Sequence, residues 1–139
     1  MNISTTEIKV STKGNSEIID ITDKIQKLIS EKGYNEGNVT IFIPGSTAGV
    51  TTIEYEPGLK EDLPEAFERF APSGINYHHH MTWHDGNGHS HVRAAVLGPS
   101  LTVPFSKGNL QVGTWQQVVL MDFDIHPRDR RIIFQFIYK

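Results

Sequence analysis

A chain of 139 residues with 37% hydrophobic content has the size and composition of one domain with a single core. A net charge of −3 excludes the basic face that nucleic-acid binding usually demands. The lack of cysteine excludes disulfides and thiolate metal sites and fits a cytoplasmic protein. No apolar run approaches the roughly 18 residues of a membrane helix, so no membrane partner is expected. The N-terminus lacks a basic segment followed by an apolar one, and a signal peptide is therefore not expected.

Ile3–Val10 reads as a strand, rich in Ser, Thr and β-branched residues. Lys13-Gly14-Asn15 signals a turn, which makes Ser16–Ile19 its hairpin partner. Asp20 or Thr22 can cap a helix whose apolar face is Ile21, Ile25, Leu28 and Ile29, and Gly33 ends it. Asn38–Pro44 is a strand. The loop Gly45-Ser46-Thr47-Ala48-Gly49 follows, then a strand over Val50–Tyr55. Hydroxyls and small residues between strands can present N–H and Oγ donors to an anion; a plain connection reads equally well. Glu54 in an otherwise apolar strand is a candidate functional acid, or an edge residue facing water.

Gly58–Ala71 is helical, with a stripe of Leu59, Leu63, Phe67 and Phe70. Asp62-Leu63-Pro64-Glu65 resembles a capping box, predicting a short turn at 58–62 and a main helix from 63. Farther on, Ser100–Phe105 and Asn109–Val112 form a hairpin. Gln116–Asp124 is a long strand, and Ile132–Tyr138 reads as a central one. About eight strands and two helices predict an α+β fold, mostly antiparallel sheet, as one domain over residues 1–139.

Polar chemistry concentrates between Tyr77 and Ser100, which holds six of the seven histidines. From Gly88 onward a strand is expected. Its period of two would put His89, His91, Arg93, Ala95 and Leu97 on one face. Two histidines at i and i+2 on a strand can converge on one metal, with His78, His79, His80 and His84 just upstream. Imidazole with carboxylate suits zinc, or iron or manganese in an open site. Asp85 or a further histidine would orient ligands or act in acid–base chemistry. The plain alternative is a histidine-rich surface loop. Arg93 suits a phosphate or carboxylate, or else an ion pair with Glu54 or an Asp; both readings stay open. Trp115 reads as core and His126 as surface. Arg128, Arg130 and Arg131 read as a solvated basic turn, with phosphate capture as the sharper alternative.

Tyr77-x-His79, the run Trp83–Ala94, Leu97–Pro104, Gly113-Thr114-Trp115-Gln116-Gln117 and Pro127-Arg128-x-Arg130-Arg131 resemble the YjbQ family, also called secondary thiamine-phosphate synthase. Ser46–Thr51, Glu54 and Asp62-Leu63 match it too, so the resemblance spans nearly the whole chain. It implies a compact α+β homotrimer with a pocket of histidines and acids near the subunit contacts. The implied activity is weak: joining hydroxymethylpyrimidine diphosphate to thiazole phosphate with loss of diphosphate. His79 and His91 fall on the family's pocket histidines, Glu54 on its acid, and Ser46 and Thr47 on its hydroxyl loop. Many members carry His where this chain has Gly45, and His89, sharing a strand face with His91, is the expected substitute.

The expected site therefore has His79, His89, His91, Glu54 and Asp85 as catalytic residues. Ser46, Thr47 and Arg93 would bind phosphate. His79, His89 and His91 would hold a divalent metal, zinc first, with Mg²⁺ accompanying a diphosphate substrate. A small phosphorylated metabolite is the expected partner. The alternatives are a zinc-dependent hydrolase and a non-catalytic binder of such a metabolite.

Overall fold

The computed structural model describes residues 1–139. Its elements are β1 (Asn2–Thr12), β2 (Glu17–Asp20), α1 (Thr22–Lys32), β3 (Gly37–Phe42), β4 (Ala48–Ile53), α2 (Pro57–Phe70), α3 (His78–Trp83), α4 (Gly88–Leu97), β5 (Ser100–Ser106), β6 (Asn109–Leu110), β7 (Gln117–Asp122) and β8 (Arg128–Tyr138). Two antiparallel sheets result, ordered β1-β8-β3-β5-β6 and β2-β7-β4. The α+β expectation holds.

Alternation builds the larger core. Ile132, Phe134 and Phe136 on β8, and Val39 and Ile41 on β3, turn their buried faces toward Val118 and Leu120 on β7. Ile21, Ile25 and Ile29 close the same core from the α1 side, as their helical spacing predicts. Gly33 ends α1 at φ 68°, a left-handed position that costs glycine least. β7 is buried from Val118 to Asp122 because its other face is covered as well. There Met121 and Phe123 pack with Phe67 of α2 and Ala94 of α4. β8 is central, as its apolar run implies, lying between β1 and β3.

Four expectations need correction. β2 pairs with β7 and not with β1, whose partner is β8 over its whole length. α2 is one continuous helix. The Glu56 carboxylate caps it, accepting from the N–H groups of Gly58 and Leu59, so the helix starts at Pro57 and Pro64 interrupts nothing. Residues 128–131 are strand rather than turn, which puts Arg130 on the inward side of β8, two residues before Ile132. The largest correction is α4: Gly88–Leu97 is a helix. Ala94, Ala95 and Leu97 favour helix, and the segment lacks the β-branched run of a strand. His89, Arg93 and Ala94 thereby share the buried side, and Ser90 donates from it to the Phe123 carbonyl.

α4 packs very closely on the start of α3. A Cβ on Gly88 would stand 2.4 Å from Tyr77 Cβ and 2.7 Å from its Cγ. Gly88→Ala is expected to destabilise the chain by about 1–3 kcal/mol, because the overlap exceeds the helix-propensity gain of up to about 1 kcal/mol. Chemical denaturation is the check; an unchanged midpoint would contradict this packing.

Candidate functional site

Helical geometry redistributes the histidines. At about 100° per residue, positions i and i+2 point to nearly opposite sides. His89 turns inward, 6% exposed, with the Tyr77 ring 6.4 Å away. His91 turns the other way, against His79, with ring centroids 4.2 Å apart. His89 and His91 therefore do not share a ligand position, and His89 does not stand in for a side chain at Gly45. No three His, Asp or Glu side chains are arranged to hold a metal ion, so the expected set of His79, His89 and His91 does not fit one as three ligands.

The structure brings together His79, His91 and Asp85. His79 Nε2 lies 3.3 Å from Asp85 Oδ1. Asn87 is buried below them; with its amide nitrogen turned toward Asp85 it donates to both carboxylate oxygens at 2.8 and 3.1 Å, and turned the other way it donates to Asp124 Oδ1 at 3.4 Å. His84, next in sequence, takes a left-handed φ of 56°, which turns the chain between α3 and the Asp85-Gly86-Asn87 corner. Gly88 N–H donates to His80 Nε2 at 3.1 Å, so His80 ties α3 to α4 and is not free. His91 also lines a cavity of about 350 Å³ with Gly45, Ser46, Ala48, Ala94, Ala95 and Pro99. Ser46 is exposed there.

Burial, and after it the neighbouring His79, hold the His91 imidazole below its usual range. Burial does the same to His89, with Arg93 adding to it. Both rings resist protonation while folded, whereas in the unfolded chain they titrate near 6.5. The unfolded chain then binds more protons just below that pH, and stability rises with pH. Thermal midpoints are expected to be highest above about pH 6.5 and to fall as the pH drops toward 5.5. His89→Gln should flatten that slope, and a slope unchanged by the substitution would refute the assignment. The acidic groups held low, Asp124, Glu68 and Glu36, start from 3.8, 4.5 and 4.5 and lose their contribution at lower pH.

Three expected site residues are elsewhere or engaged. Arg93 is buried, donating to the Ala71 carbonyl at 3.0 Å, Ser16 Oγ at 3.0 Å and Glu68 Oε2 at 2.7 Å. It forms an ion pair with Glu68 rather than Glu54, and its three nitrogens are all engaged within the protein. Thr47 Oγ1 donates to Asp124 at 3.1 Å and accepts from Arg130 Nη2 at 2.7 Å, so its hydroxyl serves the scaffold. Glu54 follows the far end of β4, about 16 Å along the strand from Ala48. It lines a separate cavity with Asp20, Asp23, Glu56, Thr114 and Trp115. Trp115 is exposed there rather than core.

The residues missed in the sequence are those under the site. Asp122, fully buried, accepts from Arg130 Nε at 2.7 Å, Arg130 Nη2 at 2.9 Å and Thr12 Oγ1 at 2.5 Å. Burial alone would raise the Asp124 carboxyl. Donation from the Ile125 N–H, Asn87, Arg128 and Thr47 outweighs this and holds it below its usual range. Asp122 and Asp124 alternate with Phe123 and Ile125, Arg130 sits within the charged run 128–131, and only depth of burial sets these charges apart from surface ones.

The family model of the UPF0047 protein YjbQ-like proteins matches residues 6–139. A UPF0047 protein of Archaeoglobus fulgidus is 37% identical over 127 residues, covering 91% of this chain and 96% of that one. The UPF0047 protein YjbQ of Escherichia coli O157:H7 is 34% identical over 115 residues, 81% of this chain and 83% of its own. Among solved structures, a protein of unknown function from Sulfolobus solfataricus superposes with a TM-score of 0.93 at 30% identity, covering 99% of both chains. A hypothetical protein from Aeropyrum pernix gives 0.91 at 29% identity over 98% and 99%. Fold, motifs and near-complete coverage agree: this chain belongs to the YjbQ-like UPF0047 family.

Proposed function

We propose that the chain is an enzyme acting on a small phosphorylated metabolite at the cavity beside His91, with His79 and Asp85 supporting that imidazole. The observation that carries this reading is the His79–His91 contact of 4.2 Å at a cavity of about 350 Å³, braced from below by Asn87 and Asp85. A cavity of that size suits a small molecule. An imidazole kept largely neutral at neutral pH can accept a proton or donate one hydrogen bond.

The reaction proposed, from the resemblance, is of the thiamine-phosphate synthase type. The bond between the pyrimidine methylene carbon and diphosphate breaks, and that carbon joins the thiazole nitrogen. Negative charge grows on the departing diphosphate, so the site must place hydrogen-bond donors there. His91 and Ser46 are the donors facing the cavity. A divalent metal, zinc first, is what the resemblance adds. It lacks a three-residue ligand set within this chain, and the chemistry above does not depend on it. The homotrimer is likewise proposed. The groove lined by Leu63, Phe67, Phe70 and Val96, with Phe70 60% and Val96 59% exposed, supports association of copies.

The test is diphosphate release from hydroxymethylpyrimidine diphosphate with thiazole phosphate, using untagged protein with and without chelator. Release dependent on both substrates supports the synthase reading. Binding of either substrate without turnover would replace it with a binding module. Metal content measured beside His91→Ala decides the metal: about one ion per chain, lost in the variant, would support it.

A further inference from the structure

The guanidinium of Arg130 is nine-tenths buried, and its donors are unequally used. Nε and Nη2 are committed to Asp122 and Thr47, with the buried Asp124 carboxylate 3.9 Å from Nη2. Nη1 makes no hydrogen bond, although every fully buried side-chain nitrogen and oxygen in the chain has a partner. Nη1 therefore reaches solvent. Its outlet is at Gly45, where a Cβ would stand 3.1 Å from Nη1. Gly45 is also a wall of the cavity that holds Ser46 and His91; Arg130 itself is not among the residues lining it, so Nη1 meets that cavity only at its Gly45 edge. Any side chain at position 45 would crowd this nitrogen. The bare glycine leaves it open.

We propose that Arg130 Nη1, exposed at Gly45, is the cationic anchor for a phosphate group in the His91 cavity, with the Ser46 hydroxyl as its neighbouring donor. This deepens the function proposed above by assigning the phosphate role expected of Arg93 and Thr47 to a different residue. A guanidinium already fixed on two sides loses little freedom on gaining a third partner, which favours it over a mobile surface lysine. Thr47 contributes indirectly, because its hydroxyl orients Nη2. Arg131, by contrast, is exposed and paired with Glu7 on the outer face of β8, and takes no part.

The experiment is titration of the full chain with inorganic phosphate and with diphosphate, followed by calorimetry and amide NMR shifts. Wild type is expected to bind, with shifts at residues 45–47 and 91. Gly45→Ala, Ser46→Ala and Arg130→Lys are compared with Arg131→Ala as control. Thermal midpoints without ligand establish folding. Arg130→Lys keeps a charge for Asp122 but loses Nη1, and Gly45→Ala covers Nη1 while also straining a backbone at φ 124°, so its thermal midpoint is read before its affinity. Each is expected to weaken binding about ten-fold or more, the scale of one lost charged hydrogen bond. Ser46→Ala is expected to weaken it by less, and Arg131→Ala to leave it within about two-fold. Absence of phosphate binding in wild type would overturn the proposal. So would unchanged affinity in folded Gly45→Ala, even if Arg130→Lys failed to fold. The readout needs no turnover. Phosphate held through Arg130 in a chain without synthase activity would remove the reaction proposed above and leave this anchor standing. Turnover that survives Arg130→Lys would do the reverse.

Discussion

Asp122→Ala is expected to lower the free energy of unfolding by about 3–5 kcal/mol, the largest stability effect of any single charge in this chain. Asp122 has no exposed surface, and its two oxygens accept from Arg130 Nε, Arg130 Nη2, Thr12 Oγ1 and the Asp124 N–H. Removing the carboxylate leaves the nine-tenths buried guanidinium only a 3.9 Å contact with Asp124 as counter-charge, and leaves the Thr12 hydroxyl only the Arg128 carbonyl at 3.2 Å. Those contacts recover part of the desolvation cost and not the whole. The pair Arg131–Glu7 is the internal contrast. Its 2.8 Å contact is about as short, but both side chains are near half exposed. Water screens that pair and competes for it, so Glu7→Ala should cost no more than about 1 kcal/mol. Urea denaturation of both variants checks the prediction, with equal slopes required for the midpoints to be compared. Added salt should reduce the Glu7 effect and barely touch the Asp122 one. Similar small losses for both variants would mean that the buried network carries no special stability.

His91→Ala is expected to reduce diphosphate release by about 10²–10³-fold, the range in which one donor placed at developing negative charge contributes. His91 sits partly exposed on the cavity wall, so its removal leaves no buried polar group behind. Stability near pH 7.5 should stay close to that of wild type. Asp85→Asn should cost less, because it removes a charge beside His79 and leaves the amide volume in place. Asn87→Ala tests the support beneath Asp85. If the buried amide holds that carboxylate, loss of activity should exceed the loss caused by Asp85→Asn. Full turnover in folded His91→Ala would end the reading of this cavity as an active site, whatever its affinity for phosphate.

Both predictions rest on features that differ in how visible they are in the sequence. The alternation Ile132, Phe134, Phe136 marks a core strand because a β-strand turns every second side chain the same way. The spacing Ile21, Ile25, Ile29 marks a helix face for the analogous reason. Chemistry was legible as well: the concentration of histidines between Tyr77 and Ser100 located the candidate site, and His79, His91, Asp85 and Ser46 lie there. Long motifs carried the family, since strings such as Trp83–Ala94 are read residue by residue and need no structure.

Direction and depth were not legible. His-x-His carries the same spacing on a strand and on a helix, yet one brings the rings together and the other separates them. The choice for 88–97 combines the helix preference of Ala94, Ala95 and Leu97, which is present in the sequence, with packing of Gly88 on Tyr77 and of Ala94 beside Phe123, which is not. Pairing of β2 with β7 instead of β1 is likewise a long-range decision, which turn chemistry at Lys13-Gly14-Asn15 cannot make. The same holds for the arginines. Arg128, Arg130 and Arg131 are near neighbours of one type, and sequence gives each the same charge and reach. Only the tertiary structure buries one of them against Asp122, because strand alternation and sheet packing together set which side chain faces inward and what meets it there.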